Sequence, residues 1–200
     1  MGVADEERDW LRRARQGDAH AYRHLVECYQ ARIYRLVAGL LGHEHGNIDD
    51  VVQEVFIKAY FSLKRFREEA SFATWIYRIA VNRARDEMRK ASRHVSLDAT
   101  LPGDTAQALR GLWNRAADDE DDSAASEALQ RFVSQAVTAL PEKLRTVVTL
   151  KDLEGLSYQE VGQILKCSVG TVKSRHSRAR ERQRTLLAPH LPDLRTEGNL

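Results

Sequence analysis

The sequence is short of the residues that build exported or membrane-spanning proteins. It has only two cysteines, Cys28 and Cys167, in 200 residues. Two isolated thiols cannot supply the cross-linked framework of a small secreted domain, so a reducing compartment is expected. No apolar run approaches the roughly 20 residues that span a bilayer. The N-terminal stretch MGVADEERDWLRRARQGD is charged throughout and has no apolar signal core. A cytoplasmic protein without membrane insertion is the expectation. The four prolines punctuate the chain at Pro102, Pro141, Pro189 and Pro192. Strand pairs, internal repeats and low-complexity tracts are missing. So are a Gly-rich phosphate loop and a nucleophile–base pair, which argues against an enzyme: no catalytic residue and no cofactor is expected. His43-Glu44-His45, and His20 with His24 one helical turn away, lack further ligands at zinc-site spacing, so no metal is expected either.

What is present is uneven charge. The net charge is only +2 and the pI near 8.6. Yet residues 173–184 gather Lys173, Arg175, Arg178, Arg180, Arg182 and Arg184 against Glu181 alone, and 118–122 form the unbroken acidic run Asp-Asp-Glu-Asp-Asp. That asymmetry suggests a nucleic-acid surface and an acidic connector.

Helical periodicity covers most of the chain. A short helix over 5–16 ends at Gly17, and Asp18 is placed to cap the next. From Ala19 to Leu41 the apolar positions Tyr22, Leu25, Val26, Tyr29, Ile33, Leu36, Val37 and Leu40 mark a long amphipathic helix. A third helix runs from about Ile48 to Leu63 and buries Val51, Val52, Val55, Phe56 and Ala59. After a loop at 66–70, Ser71 caps a fourth helix that buries Phe72, Trp75, Ile76, Ile79 and Ala80 and then turns basic. Residues 5–94 therefore read as one all-α domain. Residues 95–126, with Pro102-Gly103 and the acidic run, read as a linker. A second helical domain spans 127–188, and 189–200 form a tail.

The organising stretch is 155–184, GLSYQEVGQILKCSVGTVKSRHSRARERQR. Tyr158, Val161, Ile164 and Leu165 line one side of a short helix that Ser157 can cap. In the turn Lys166-Cys167-Ser168-Val169-Gly170, the glycine is expected to supply the positive φ of a sharp reversal. Thr171 then starts a helix with Val172, Ala179 and Leu186 inward and Lys173, Ser174, Ser177, Arg178 and Glu181 on the other side. This is a helix-turn-helix pattern whose second helix enters the DNA major groove. The alternative is a solvated basic face, but order and spacing favour DNA binding.

Two sets of residues resemble one family. Asp49-Asp50-Val51-Val52-Gln53-Glu54-Val55-Phe56 and Phe72-Ala73-Thr74-Trp75-Ile76-Tyr77-Arg78-Ile79-Ala80-Val81-Asn82 resemble regions 2.2 to 2.4 of extracytoplasmic-function sigma factors. Leu140-Pro141-Glu142-Lys143 and Val169-Gly170-Thr171-Val172-Lys173-Ser174-Arg175 are similar to their region 4. The resemblance implies an all-α, two-domain sigma factor that binds the β and β′ subunits of core RNA polymerase, directs initiation at promoter DNA and is held in check by an anti-sigma factor. A stand-alone helix-turn-helix regulator is the alternative.

On that resemblance, Asp49, Asp50, Gln53, Glu54 and Lys58 form the polymerase-binding face, although an acidic first turn also suits helix solubility and the helix dipole. Arg67, Ser71, Tyr77, Arg78, Asn82, Arg83, Arg85 and Arg89 are the expected −10 contacts. Asn82 matches the family asparagine beside a flipped base, and the loop 67–71 would form the base pocket. Phe72, Trp75 and Ile76 are expected to pack in the core rather than stack on bases. Lys173, Ser174, Ser177 and Arg178 occupy −35-reading positions, with Thr171, Arg175 and Arg182 nearby, the arginines meeting phosphates. At His176 and Ser177 many relatives carry larger apolar residues.

Overall fold

The computed structural model describes residues 3–43, 45–66, 70–95 and 133–187, and these are helical with no strand among them. Helices α1 (Val3–Arg15), α2 (Ala19–Leu41), α3 (Ile48–Ser62) and α4 (Phe72–Val95) form the first bundle. The expected linker and tail lie largely outside the described residues, as does Arg67.

Local chemistry fixes the helix ends. Asp18 caps α2 by accepting from the His20 and Ala21 backbone at 2.9 and 3.1 Å, and its other oxygen takes Arg13 Nη2 at 2.7 Å. These bonds, the one from the Ala21 backbone first and the one from Arg13 next, hold its carboxyl below the ordinary value and tie α1 to α2. Ser71 caps α4 through the Thr74 N–H at 3.1 Å, as the sequence suggested. Leu25, Ile33, Leu36, Val51, Val55 and Ile76 are almost wholly buried between α2, α3 and α4. An aromatic seam closes one end: Phe72 meets Tyr29 edge-on at 5.2 Å, while Trp75 lies 5.1 Å from Phe66. Phe72 and Trp75 are therefore core, as expected.

The second body begins with a helical stretch over 133–138. Helix α5 (Glu142–Val148) follows Pro141 and widens into a π-helical turn, Thr149–Leu153. Helices α6 (Tyr158–Leu165) and α7 (Val169–Leu187) complete it. Ser157 makes a full capping box with Glu160.

One expectation at the turn is corrected. The left-handed residue between α6 and α7 is Lys166, at φ +52°, and Gly170 lies inside α7. Helix α7 starts at Val169 because Ser168 accepts from the Thr171 N–H at 3.2 Å and so caps it early. The glycine that the turn requires is Gly162, where a Cβ would meet the Cys167 carbonyl at 3.0 Å.

The two bodies pack together. Val147, Leu150, Val161, Ile164 and Val172 belong to the same apolar cluster as the first bundle. Gly39 on α2 lets the π-turn approach, since a Cβ there would lie 2.8 Å from Thr149 Cγ2. Arg145 reaches the end of α2 and donates to the Leu40 carbonyl at 2.7 Å.

Candidate nucleic-acid and polymerase interfaces

On α3 the apolar positions 51, 52, 55, 56 and 59 face the bundle, so the intervening residues are forced outward. Asp49, Asp50, Gln53, Glu54 and Lys58 are all exposed. Glu54 is also engaged: its carboxylate accepts from Arg83 Nε, which holds it below the ordinary value. Arg83 reaches Glu87 at 2.9 Å, and Glu87 in turn accepts from Asn47 at 3.2 Å. With only 12% of its side chain exposed, Arg83 is a strut between α3 and α4 in this arrangement. The structure thus joins two residues that the sequence placed in separate sites.

The same helix exposes apolar surface that sequence reasoning missed. Ile57, Tyr60 and Phe61 are 49%, 43% and 77% exposed. Their signal was available: they fall off the buried stripe, on the turn that follows Gln53 and Glu54.

Along α4 the expected −10 residues divide. Asn82 and Arg89 are exposed, Arg78 and Arg85 half-buried. Arg89 has Asp86 at 3.7 Å, and Arg85 Nε lies 3.0 Å from Glu142 of α5. Tyr77 is only 2% exposed and donates to Glu154 at 3.1 Å. Glu154, itself buried, also lies 3.5 Å from Arg35. Burial, followed by the Glu154 charge, raises the Tyr77 hydroxyl to about 12. Ser71 borders an open cleft of about 390 Å³ lined by Glu7, Arg8, Leu11, Phe66, Ala70 and Phe72.

Helix α7 is built as the pattern required. Val172 and Ala179 are fully buried, and Leu186 is half-buried. Lys173, Ser174, Ser177, Arg178 and Arg182 are exposed, Arg175 and Thr171 less so. His176 points inward instead. Its Nε2 lies 3.0 Å from both Asp152 oxygens and its Nδ1 2.9 Å from the Tyr158 hydroxyl. Lys173 Nζ sits 5.8 Å from the centre of the Tyr158 ring, within cation–π range.

The described residues contain no cluster of three His, Cys, Asp or Glu suited to a metal. His24 packs against Trp10 with ring centroids 4.6 Å apart and planes tilted by 44°. No helix among the described residues is long and apolar enough to cross a membrane.

Comparison with known proteins identifies both regions of the chain. Residues 25–94 match the family model "Sigma-70 region 2", and residues 133–182 match "Sigma-70, region 4". The chain is 43% identical over 173 residues to the ECF RNA polymerase sigma-E factor of Haemophilus influenzae, covering 86% of this chain and 89% of the relative. It is 39% identical over 176 residues to the sigma-E factor of Escherichia coli strain K12, covering 86% and 88%. In fold it is similar to CnrH, solved with the cytosolic domain of CnrY: TM-score 0.68, 24% identity, 92% of this chain and 99% of that one. It is also similar to the sigma factor RpoE of Bartonella quintana, solved with the anti-sigma factor NepR: TM-score 0.61, 23% identity, 84% and 96%. With both regions in order on one chain and close relatives over most of its length, this protein belongs to the extracytoplasmic-function sigma factors, which are transcription initiation factors and not enzymes.

Proposed function

We propose that the chain docks on the β and β′ subunits of core polymerase through α3, contacts the −10 element from α4 and reads the −35 element with α7. The observation that carries this reading is the α7 surface: Lys173, Ser174, Ser177 and Arg178 project together from a helix whose opposite stripe is buried. Cations there can reach guanine O6 and N7, and the flanking arginines can hold phosphates. On α3 the carboxylates suit clamp arginines, and Ile57, Tyr60 and Phe61 extend the contact with apolar area.

Two −10 candidates, Tyr77 and Arg85, are engaged by the second body in the closed arrangement. Binding the −10 strand through them requires the second body to leave α4, and its −35 task separates the two bodies in any case. Relatives of this fold have been solved with anti-sigma partners, and a partner that favours closure is the expected regulator here. The working compartment is the cytoplasm, where the polymerase is.

Asp50→Lys tests the docking face without touching the Glu54–Arg83 pair. It should weaken capture of core polymerase about tenfold, roughly 1.4 kcal/mol, with an unchanged circular dichroism spectrum. Full capture by the variant removes Asp50 from the interface.

A further inference from the structure

His176 occupies the middle of the inward stripe of α7. It lies four residues after Val172 and three before Ala179, both fully buried. Helical periodicity asks for an apolar residue there. A polar ring at such a position is tolerated only with its nitrogens satisfied, and here both are engaged. Asp152 can only accept, so Nε2 carries a proton, and Nδ1 pairs with the Tyr158 hydroxyl. The three residues come from three elements: the π-turn, α6 and α7.

We infer that His176 is a positioning residue for −35 recognition, acting through Tyr158 on Lys173. The inference rests on reading Lys173 as a −35 contact. A ring bonded at both nitrogens has one orientation, which fixes the roll of α7 on its small apolar anchors. It also fixes Tyr158, whose ring has Lys173 Nζ at 5.8 Å and Lys151 Nζ at 5.3 Å from its centre. The triad thus presents the ammonium of Lys173 from a held platform rather than from a free four-carbon stem. A pre-placed cation discriminates bases by geometry, whereas a free one mainly adds nonspecific attraction.

The test uses the full chain assembled with core polymerase and a promoter library randomised over the upstream element, with transcribed sequences counted. Lys173→Ala identifies the base column that Lys173 reads; its guanine preference should fall about tenfold or more. His176→Ala should weaken that same column about fivefold and leave the other columns nearly unchanged. His176→Gln restores a donor toward Asp152 and should recover at least half of the loss. Tyr158→Phe keeps the ring but severs the link, and should weaken the column about twofold. If wild type shows no upstream preference, the −35 reading of Lys173 fails. If Lys173→Ala loses its column while a folded His176→Ala keeps it, or loses all columns evenly, the positioning role is wrong. Should His176→Ala not fold, Tyr158→Phe decides by the same criterion.

Discussion

Arg145 stands where two stretches of backbone end. Its guanidinium donates to the carbonyls of Leu40, Thr138 and Leu140, joining the end of α2 to the start of α5. Burial lowers its pKa, with the Glu142 charge opposing. Truncation to Ala strands these acceptors, and a urea melt should show a loss of about 3 kcal/mol. Arg145→Lys should recover less than half, because one ammonium cannot span the fork. A loss below about 1 kcal/mol would mean that water replaces the guanidinium. Glu54 and Glu87 supply a pH test at the same scale. Arg83 holds both carboxyls below their ordinary 4.5. A depressed carboxyl stabilises the fold above its unfolded value and loses that contribution as pH falls through the folded one. The stability gap between wild type and Arg83→Met should therefore be full at neutral pH and shrink below about pH 4.5. A gap constant from pH 7 to 3 would contradict this. Spacing places Asp50, Gln53 and Glu54 on one polar face opposite the buried valines, and all three are exposed. It could not show that Glu54 meets Arg83 or Tyr77 meets Glu154, since those partners lie 29 and 77 residues apart.

Single elements were legible to the degree that their ends are chemical. Asp18, Ser71 and Ser157 cap helices as read, because a side-chain oxygen before an apolar-periodic run acts within three residues of itself. The turn after α6 is less legible, because a glycine near a reversal is the usual left-handed residue and here is not. Ser168 captures Gly170 into α7, and Lys166 adopts the left-handed conformation instead. Two substitutions exploit this. Lys166→Gly removes the left-handed strain and should stabilise the second body by about 1 kcal/mol. Gly162→Ala should cost about 1–2 kcal/mol, since its methyl meets a backbone carbonyl rather than a side chain that can turn away. Thermal unfolding of both variants checks the signs, and stabilisation by Gly162→Ala would show that the turn shifts freely.

At the scale of the whole molecule the sequence implied two bodies on a tether, and the structure shows them docked. Composition reports a linker's polarity but not whether the faces it joins fit. Here Gly39 makes the fit. The three atoms nearest an added Cβ belong to Thr149 and Leu153, both of the second body. Gly39→Val should therefore leave the first bundle folded and force the bodies apart, raising the radius of gyration in small-angle scattering. An unchanged radius would show that the π-turn yields. The central claim is that this chain assembles with core polymerase and chooses where transcripts begin. Run-off transcription from a promoter library, with core polymerase alone and with the protein added, tests it most directly. The expected result is a new, discrete set of start sites that appears only with the protein and fades when Lys173 and Arg178 are both changed to Ala. Identical start sites with and without the protein would contradict it.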